Sequence, residues 1–240
     1  ARGYVEGMRN VPVLLHVFVW YGLVLELPPA SAVPPEPAWL LATNRVLLAL
    51  VGVEVFWSVG MITFESLMPL RLEELVGSAE RAGALVGPVS AAGWGLFAVG
   101  SWLAGVTSAR IGVARAAMVG RVLNALGAVV MGLVAGPVAL VAAYLFTYSM
   151  HGMNGPPHAA LLHRQATSAN RATVLSINSM MAFLAFAVAA PLVGTLADRA
   201  SISTAMVTAG AISALGVACY LPARRQERTR TSLETGAVAR

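Results

Sequence analysis

Val46 to Pro69 reads VLLALVGVEVFWSVGMITFESLMP. These 24 residues are mostly apolar and, at ~1.5 Å per residue, long enough to cross a bilayer core of ~30 Å. Two carboxylates interrupt them, Glu54 and Glu65. A charge deep in a membrane span costs roughly 2.5–3.5 kcal/mol on insertion scales, so two on one helix need a reason. They lie eleven residues apart, close to three turns, which sets both on one face with Ser58 and Met61 between them. One acidic stripe on an otherwise apolar helix predicts the wall of a watery cavity inside a bundle.

The composition agrees. The chain has 240 residues, 58% hydrophobic and 11% charged, where a soluble domain carries about 25% charged residues. This is the composition of an integral membrane protein. All 16 basic residues are Arg, and they sit mainly in short loops and the tail, so the positive balance is not a nucleic-acid footprint. The single cysteine, Cys219, excludes an internal disulfide and a cysteine-based metal site. No P-loop, H-E-x-x-H or nucleophile motif appears, and neither an enzyme nor a bound cofactor or metal is expected.

Outward from the opening stretch, the chain divides into three parts. Residues 1–45 form an N-terminal cytoplasmic or interfacial segment and linker. Within it Val11–Leu25 is apolar but only fifteen residues long, and LPPASAVPPEP is too proline-rich for a helix. Residues 46–221 carry six spans: 46–69, about 84–107, 116–135, 137–162, 172–196 and 202–221. Residues 222–240 read as a disordered cytoplasmic tail. Small pairs four apart, Ala91 with Gly95 and Gly210 with Ala214, mark close helix contacts. Arg110, Arg115, Arg164, Arg171 and the tail arginines fall on one side, which the positive-inside rule makes cytoplasmic.

Phe97–Gly112 (FAVGSWLAGVTSARIG) and Phe186–Ser201 (FAVAAPLVGTLADRAS) match at six of sixteen positions with an offset of 89 residues. That offset maps the second span onto the fifth. A repeat of three spans inverts in the membrane, so the expected fold is all-α, a six-helix bundle built as a 3+3 inverted repeat, a transporter device with the substrate site where the copies meet.

Gly152 to Arg199, GMNGPPHAALLHRQATSANRATVLSINSMMAFLAFAVAAPLVGTLADR, resembles the tenth and eleventh spans of a major facilitator superfamily transporter of the drug-efflux type. Gly105-Val-Thr-Ser-Ala-Arg110-Ile-Gly112 resembles that family's gating loop, G-x-x-x-D-R-x-G. Gly105, Arg110 and Gly112 fit it; Ala109 stands where Asp is expected. The resemblance covers about residues 46–221, half of a family transporter. It implies a multi-pass plasma (inner) membrane protein in contact with lipid and a small-molecule substrate. It also implies proton-coupled efflux of amphipathic compounds, driven by the proton gradient, and a second six-helix half or a second copy as partner. The alternatives are an uncoupled or uptake porter, and a truncated half without activity of its own.

Glu54 and Glu65 are the candidate proton stations, about 16 Å apart along the helix and therefore weakly coupled. Arg121 either snorkels to the surface or pairs with a carboxylate or an anionic substrate. Asn124 reads first as a helix–helix hydrogen bond and second as a pathway residue. His151 and Asn154 stand at one-turn spacing in a span expected to break at Gly152, Gly155, Pro156 and Pro157, where a cavity lining tolerates it. His158 and His163 read as solvated near the inner end, and Trp57, Trp94, Trp102, Phe183 and Phe186 as packing or interface residues.

Overall fold

A computed structural model describes residues 36–238. The apolar segment 11–25 and most of the proline-rich stretch lie outside the described residues. The chain divides into two units between Trp39 and Leu40, and the second unit, from Leu40 onward, contains the helix bundle.

No strand occurs among the described residues. In chain order the helices are α1 Glu36–Thr43, α2 Arg45–Ile62, α3 Met68–Val76, α4 Ala79–Ile111, α5 Val113–Leu133, α6 Pro137–His163, α7 Arg171–Arg199, α8 Ile202–Leu215 and α9 Leu221–Val238. A π turn, Thr63–Leu67, joins α2 to α3, and a 3₁₀ turn, Gly216–Tyr220, joins α8 to α9. Five of the resulting rods are long and apolar enough to cross a membrane. The remaining long helix, α6, is less apolar because it carries Thr147, Tyr148, His151, Asn154 and His158 into the interior.

The first rod starts where Asn44 caps it, accepting from the Val46 and Leu47 amides at 3.1 and 3.0 Å. It does not stop at Pro69, as the sequence reading has it, but runs to Val76. Pro69 supplies no amide hydrogen and crowds the carbonyl four residues before it, that of Glu65. The wide π turn around Glu65 absorbs that conflict and lets the helix continue. Gly77, at φ 72°, then ends α3.

α6 is also continuous, where the sequence reading breaks it. Pro156 has no hydrogen for the Gly152 carbonyl, but the Ser101 hydroxyl of α4 donates to that carbonyl at 3.1 Å. A neighbouring helix has replaced the lost bond. The helices are close enough for this because each sets a glycine against the backbone of the other. A Cβ on Gly152 would overlap the Phe97 carbonyl, and one on Gly100 would overlap the Ser149 carbonyl. The expected small pair on α4 is elsewhere: Ala91 is exposed, and Gly95 has nothing near it. Gly210 does meet the backbone of α5 at Val129. At the far end, α9 continues as helix to Val238 over residues that the sequence reading leaves unstructured.

The pairing of helices has the symmetry the repeat demands. α2 packs on α7 and α6 packs on α4; α5 packs on α6 and α8 on α2; α5 and α8 pack on each other. Exchanging α2 with α6, α4 with α7 and α5 with α8 returns the same set of neighbours.

Two apolar cores close the ends of the bundle. One gathers Ile62, Phe64, Leu67, Met68 and Leu72 with Met131, Leu140 and Met206. The other gathers Leu47, Leu50, Val53, Leu161, Leu162, Val174 and Tyr220. Between them the interior is polar. Glu54, Ser58, Arg121, Asn124, Asn154 and His158 are all buried there.

Candidate functional site

That polar middle opens into a cavity of about 440 Å³ lined by Glu54 and Trp57 of α2, Arg121 of α5, His151, Asn154 and His158 of α6, and Asn178 of α7. Four of the six sequence candidates for the pathway meet here: Glu54, Arg121, His151 and Asn154.

Glu54 is 7% exposed. Its Oε1 lies 2.9 Å from His158 Nε2 and accepts from the Asn178 amide at 3.2 Å. His158 Nε2 is also 3.2 Å from Asn178 Oδ1, and its Nδ1 is 3.0 Å from the Tyr220 hydroxyl. The carboxylate therefore belongs to a chain of four groups drawn from four elements. A buried carboxylate without such partners would be strongly destabilising. His158 is buried rather than solvated, a correction to the sequence reading. Helix geometry explains it. His151, Asn154 and His158 follow i, i+3, i+7 spacing, and because α6 does not break they share one face.

Of the two readings of Arg121, the structure sets aside snorkelling. The residue is 2% exposed and does not reach the surface. Its guanidinium lies 6.0 Å from the Trp57 ring centroid, within cation–π range. It lines the same cavity as Glu54 and His151. Nε and Nη1 have no hydrogen-bond partner. The same holds for both amide atoms of Asn154 and for His151 Nδ1. Trp57 is more than packing. Its indole stacks on His151 at 5.5 Å with planes 16° apart, making a flat shelf on the cavity wall.

Asn124 donates to the Thr147 carbonyl at 2.9 Å and joins α5 to α6. That is the helix–helix bond the sequence suggests first, and Asn124 does not line the cavity. Glu65 is exposed on the π turn and accepts from the Tyr148 hydroxyl at 2.8 Å. Tyr148 meets His151 edge to face at 5.8 Å, so Glu65 reaches the cavity only through an aromatic relay.

The candidate gating loop lies at the other end of α4. Gly105 has open space around it and Arg110 is exposed. Gly112 adopts φ 88°, which favours glycine, and turns the chain into α5. Where Ala109 replaces the expected acid, Glu227 of α9 supplies one. It accepts from the Val113 and Ala114 amides at 3.1 and 3.0 Å and pairs with Arg164 at 2.7 Å. A negative group at the first amides of α5 is where the helix dipole favours it.

His158, Asn178 and Tyr220 are the site residues the sequence reading missed. The i, i+7 relation of His158 to His151 was the available signal. Asn178 and Tyr220 carried none, since only the fold brings α7 and the 3₁₀ turn to α2.

Residues 89–239 match the family model described as the Major Facilitator Superfamily. Among solved structures the chain is similar to a peptide transporter POT in complex with sulfate, with TM-score 0.64, 17% identity and coverage of 81% of this chain and 44% of that one. It is similar also to a mutant of a peptide transporter POT in complex with alafosfalin, with TM-score 0.63, 18% identity and coverage of 80% and 44%. At these identities the likeness concerns the fold. The chain spans less than half the length of these structures. No curated protein matches it. The superfamily model covers well over half of the residues, inverted triplets of helices pack as its fold requires, and the chain belongs to the Major Facilitator Superfamily.

Proposed function

We propose that this chain is one six-helix half of a proton-coupled secondary transporter, and that the cavity between its two apolar cores is its share of the substrate site. The observation that carries this is the buried contact between Glu54 and His158, 2.9 Å long, on the wall of that cavity. A carboxylate and an imidazole in contact at membrane depth can exchange a proton between them, and intramembrane ionisable groups mark such relays. Protonating either group rearranges the hydrogen bonds to Asn178 and Tyr220, and so couples charge to the packing of α2, α6 and α7. Glu65 with Tyr148 is a second, more exposed station, linked to the cavity through the contact of Tyr148 with His151.

The other half is a second six-helix segment or a second copy. Much of α4 and α7 is uncovered, with Trp94, Trp102, Phe183, Leu184 and Leu192 exposed. Those surfaces are available to lipid and to a partner. The direction of transport, export of amphipathic compounds, rests on the resemblance to drug-efflux transporters; uptake and uncoupled transport are the competing directions. Small peptides are the second substrate class to test, because the similar structures are peptide transporters. The arginines of α9, Arg224, Arg225, Arg228 and Arg230, favour a cytoplasmic side for that end in a cell whose inner membrane holds the protein.

The test is flux into proteoliposomes with a panel of anionic, neutral and cationic amphipathic dyes, with and without a proton gradient. The chain alone is compared with the chain joined to a second six-helix half. Gradient-driven flux in either sample supports the proposal. Flux that ignores the gradient supports the uncoupled porter, and no flux in both samples supports an inactive half.

A further inference from the structure

The cavity holds more unsatisfied donors than its own carboxylate can use. Glu54 Oε1 is engaged by His158 and Asn178. Arg121 has two of its three guanidinium nitrogens without a hydrogen-bond partner, although only 2% of the residue is exposed. Arginine stays charged, and a buried charge without partners for its fork is costly. Asn154, 4% exposed, has a free amide NH₂ and a free carbonyl on the same wall. Beside them lies the flat shelf of Trp57 stacked on His151. The geometry points to an organic anion as the ligand: a carboxylate or similar oxyanion held by Arg121 and the Asn154 amide, with a planar apolar body laid on the Trp57–His151 shelf.

Each part follows from chemistry. An oxyanion accepts from the planar guanidinium in a bidentate ion pair, a neutral carbonyl accepts from it without the opposing charge, and a cation is repelled. Phe97, Leu162 and Leu175 add apolar area to the wall, from which a fully solvated inorganic ion gains little. A cation would meet Arg121 at short range with Glu54 Oε1 already engaged. This inference rests on the reading of the cavity as a substrate site and narrows its substrate class.

The test is equilibrium binding of radiolabelled benzoate to the full chain in detergent, in competition with benzamide and benzylamine, which share its ring. Benzoate is expected to bind at least tenfold tighter than benzamide, and benzylamine not to compete. Arg121→Gln is expected to erase that preference by lowering benzoate affinity at least tenfold while leaving benzamide affinity within about twofold. Asn154→Ala, which keeps Arg121, lowers benzoate affinity less and serves if Arg121→Gln does not fold. Equal binding of benzoate and benzamide, preference for benzylamine, or no benzoate binding overturns the inference. Benzoate binding that meets the expectation while no dye crosses the membrane overturns the transport reading instead and leaves the anion site standing. Flux of cationic dyes alone does the reverse.

Discussion

Adding one methyl group at Gly152 should loosen the whole bundle, whereas adding one at Gly95 should not. The Cβ of Gly152→Ala would occupy the space of the Phe97 carbonyl, and the atoms nearest to it are all backbone atoms of Phe97. No side chain can swing away, so α4 and α6 must separate. Inserting a methyl into a rigid contact costs about 1–3 kcal/mol. Separation also stretches the 3.1 Å bond from Ser101 to the Gly152 carbonyl, the bond that replaces the one Pro156 cannot make. That loss is worth about 1 kcal/mol. Together they give about 2–4 kcal/mol, or a fall in Tm of roughly 4–16 °C if this chain scales like soluble domains of similar size. Gly95→Ala lies on the same helix with nothing within 4 Å and should be neutral or slightly stabilising, since alanine is the better helix former. Thermal unfolding of both variants in one detergent makes the comparison. A Gly152→Ala protein as stable as Gly95→Ala would refute the claim that glycine contact and carbonyl rescue hold α6 straight.

Other consequences are as specific. Glu54→Gln and His158→Gln should be strongly non-additive in thermal stability, with a coupling of about 0.5–3 kcal/mol from a double-mutant cycle, because each residue is the other's buried partner; additive losses would mean that the contact is incidental. Glu227→Ala should cost about 1 kcal/mol and speed hydrogen exchange at the amides of Val113 and Ala114, because it removes the acceptor of both. Unchanged protection there would show that α9 does not cap α5.

How much of the fold and the site was legible in the sequence depends on where the information lies. The spans follow from composition and length, which act locally. The offset of 89 residues foretold the exchange symmetry of the packing because six matched positions sit at equivalent points of α4 and α7. Glu54 and Arg121 stood out because charges at membrane depth are costly. What failed was the end of the first span at Pro69 and the break of α6 at its glycine and proline run. Pro69 is absorbed by a π turn, and Pro156 by a hydroxyl from α4 some fifty residues earlier; both are tertiary solutions to a local problem. That error carried a second one, since a broken α6 hides the common face of His151, Asn154 and His158. Arg121 was left between two readings for a related reason. Its depth in the span suggested snorkelling, but the Trp57 ring makes the interior an acceptable place for it. The acid of the loop before α5 shows the same limit. Ala109 marked it as missing, while the fold supplies Glu227 from the last helix.

The central claim is that Glu54 couples proton movement to transport through the cavity. Its most direct test is gradient-driven flux in proteoliposomes containing Glu54→Gln beside the unchanged protein, in whichever assembly carries flux. Gln keeps the size of the side chain and its bond from Asn178 but cannot give up a proton. The account predicts that gradient-driven accumulation disappears while exchange of labelled for unlabelled substrate at equal concentration persists. Accumulation that continues undiminished with Gln at position 54 would contradict it.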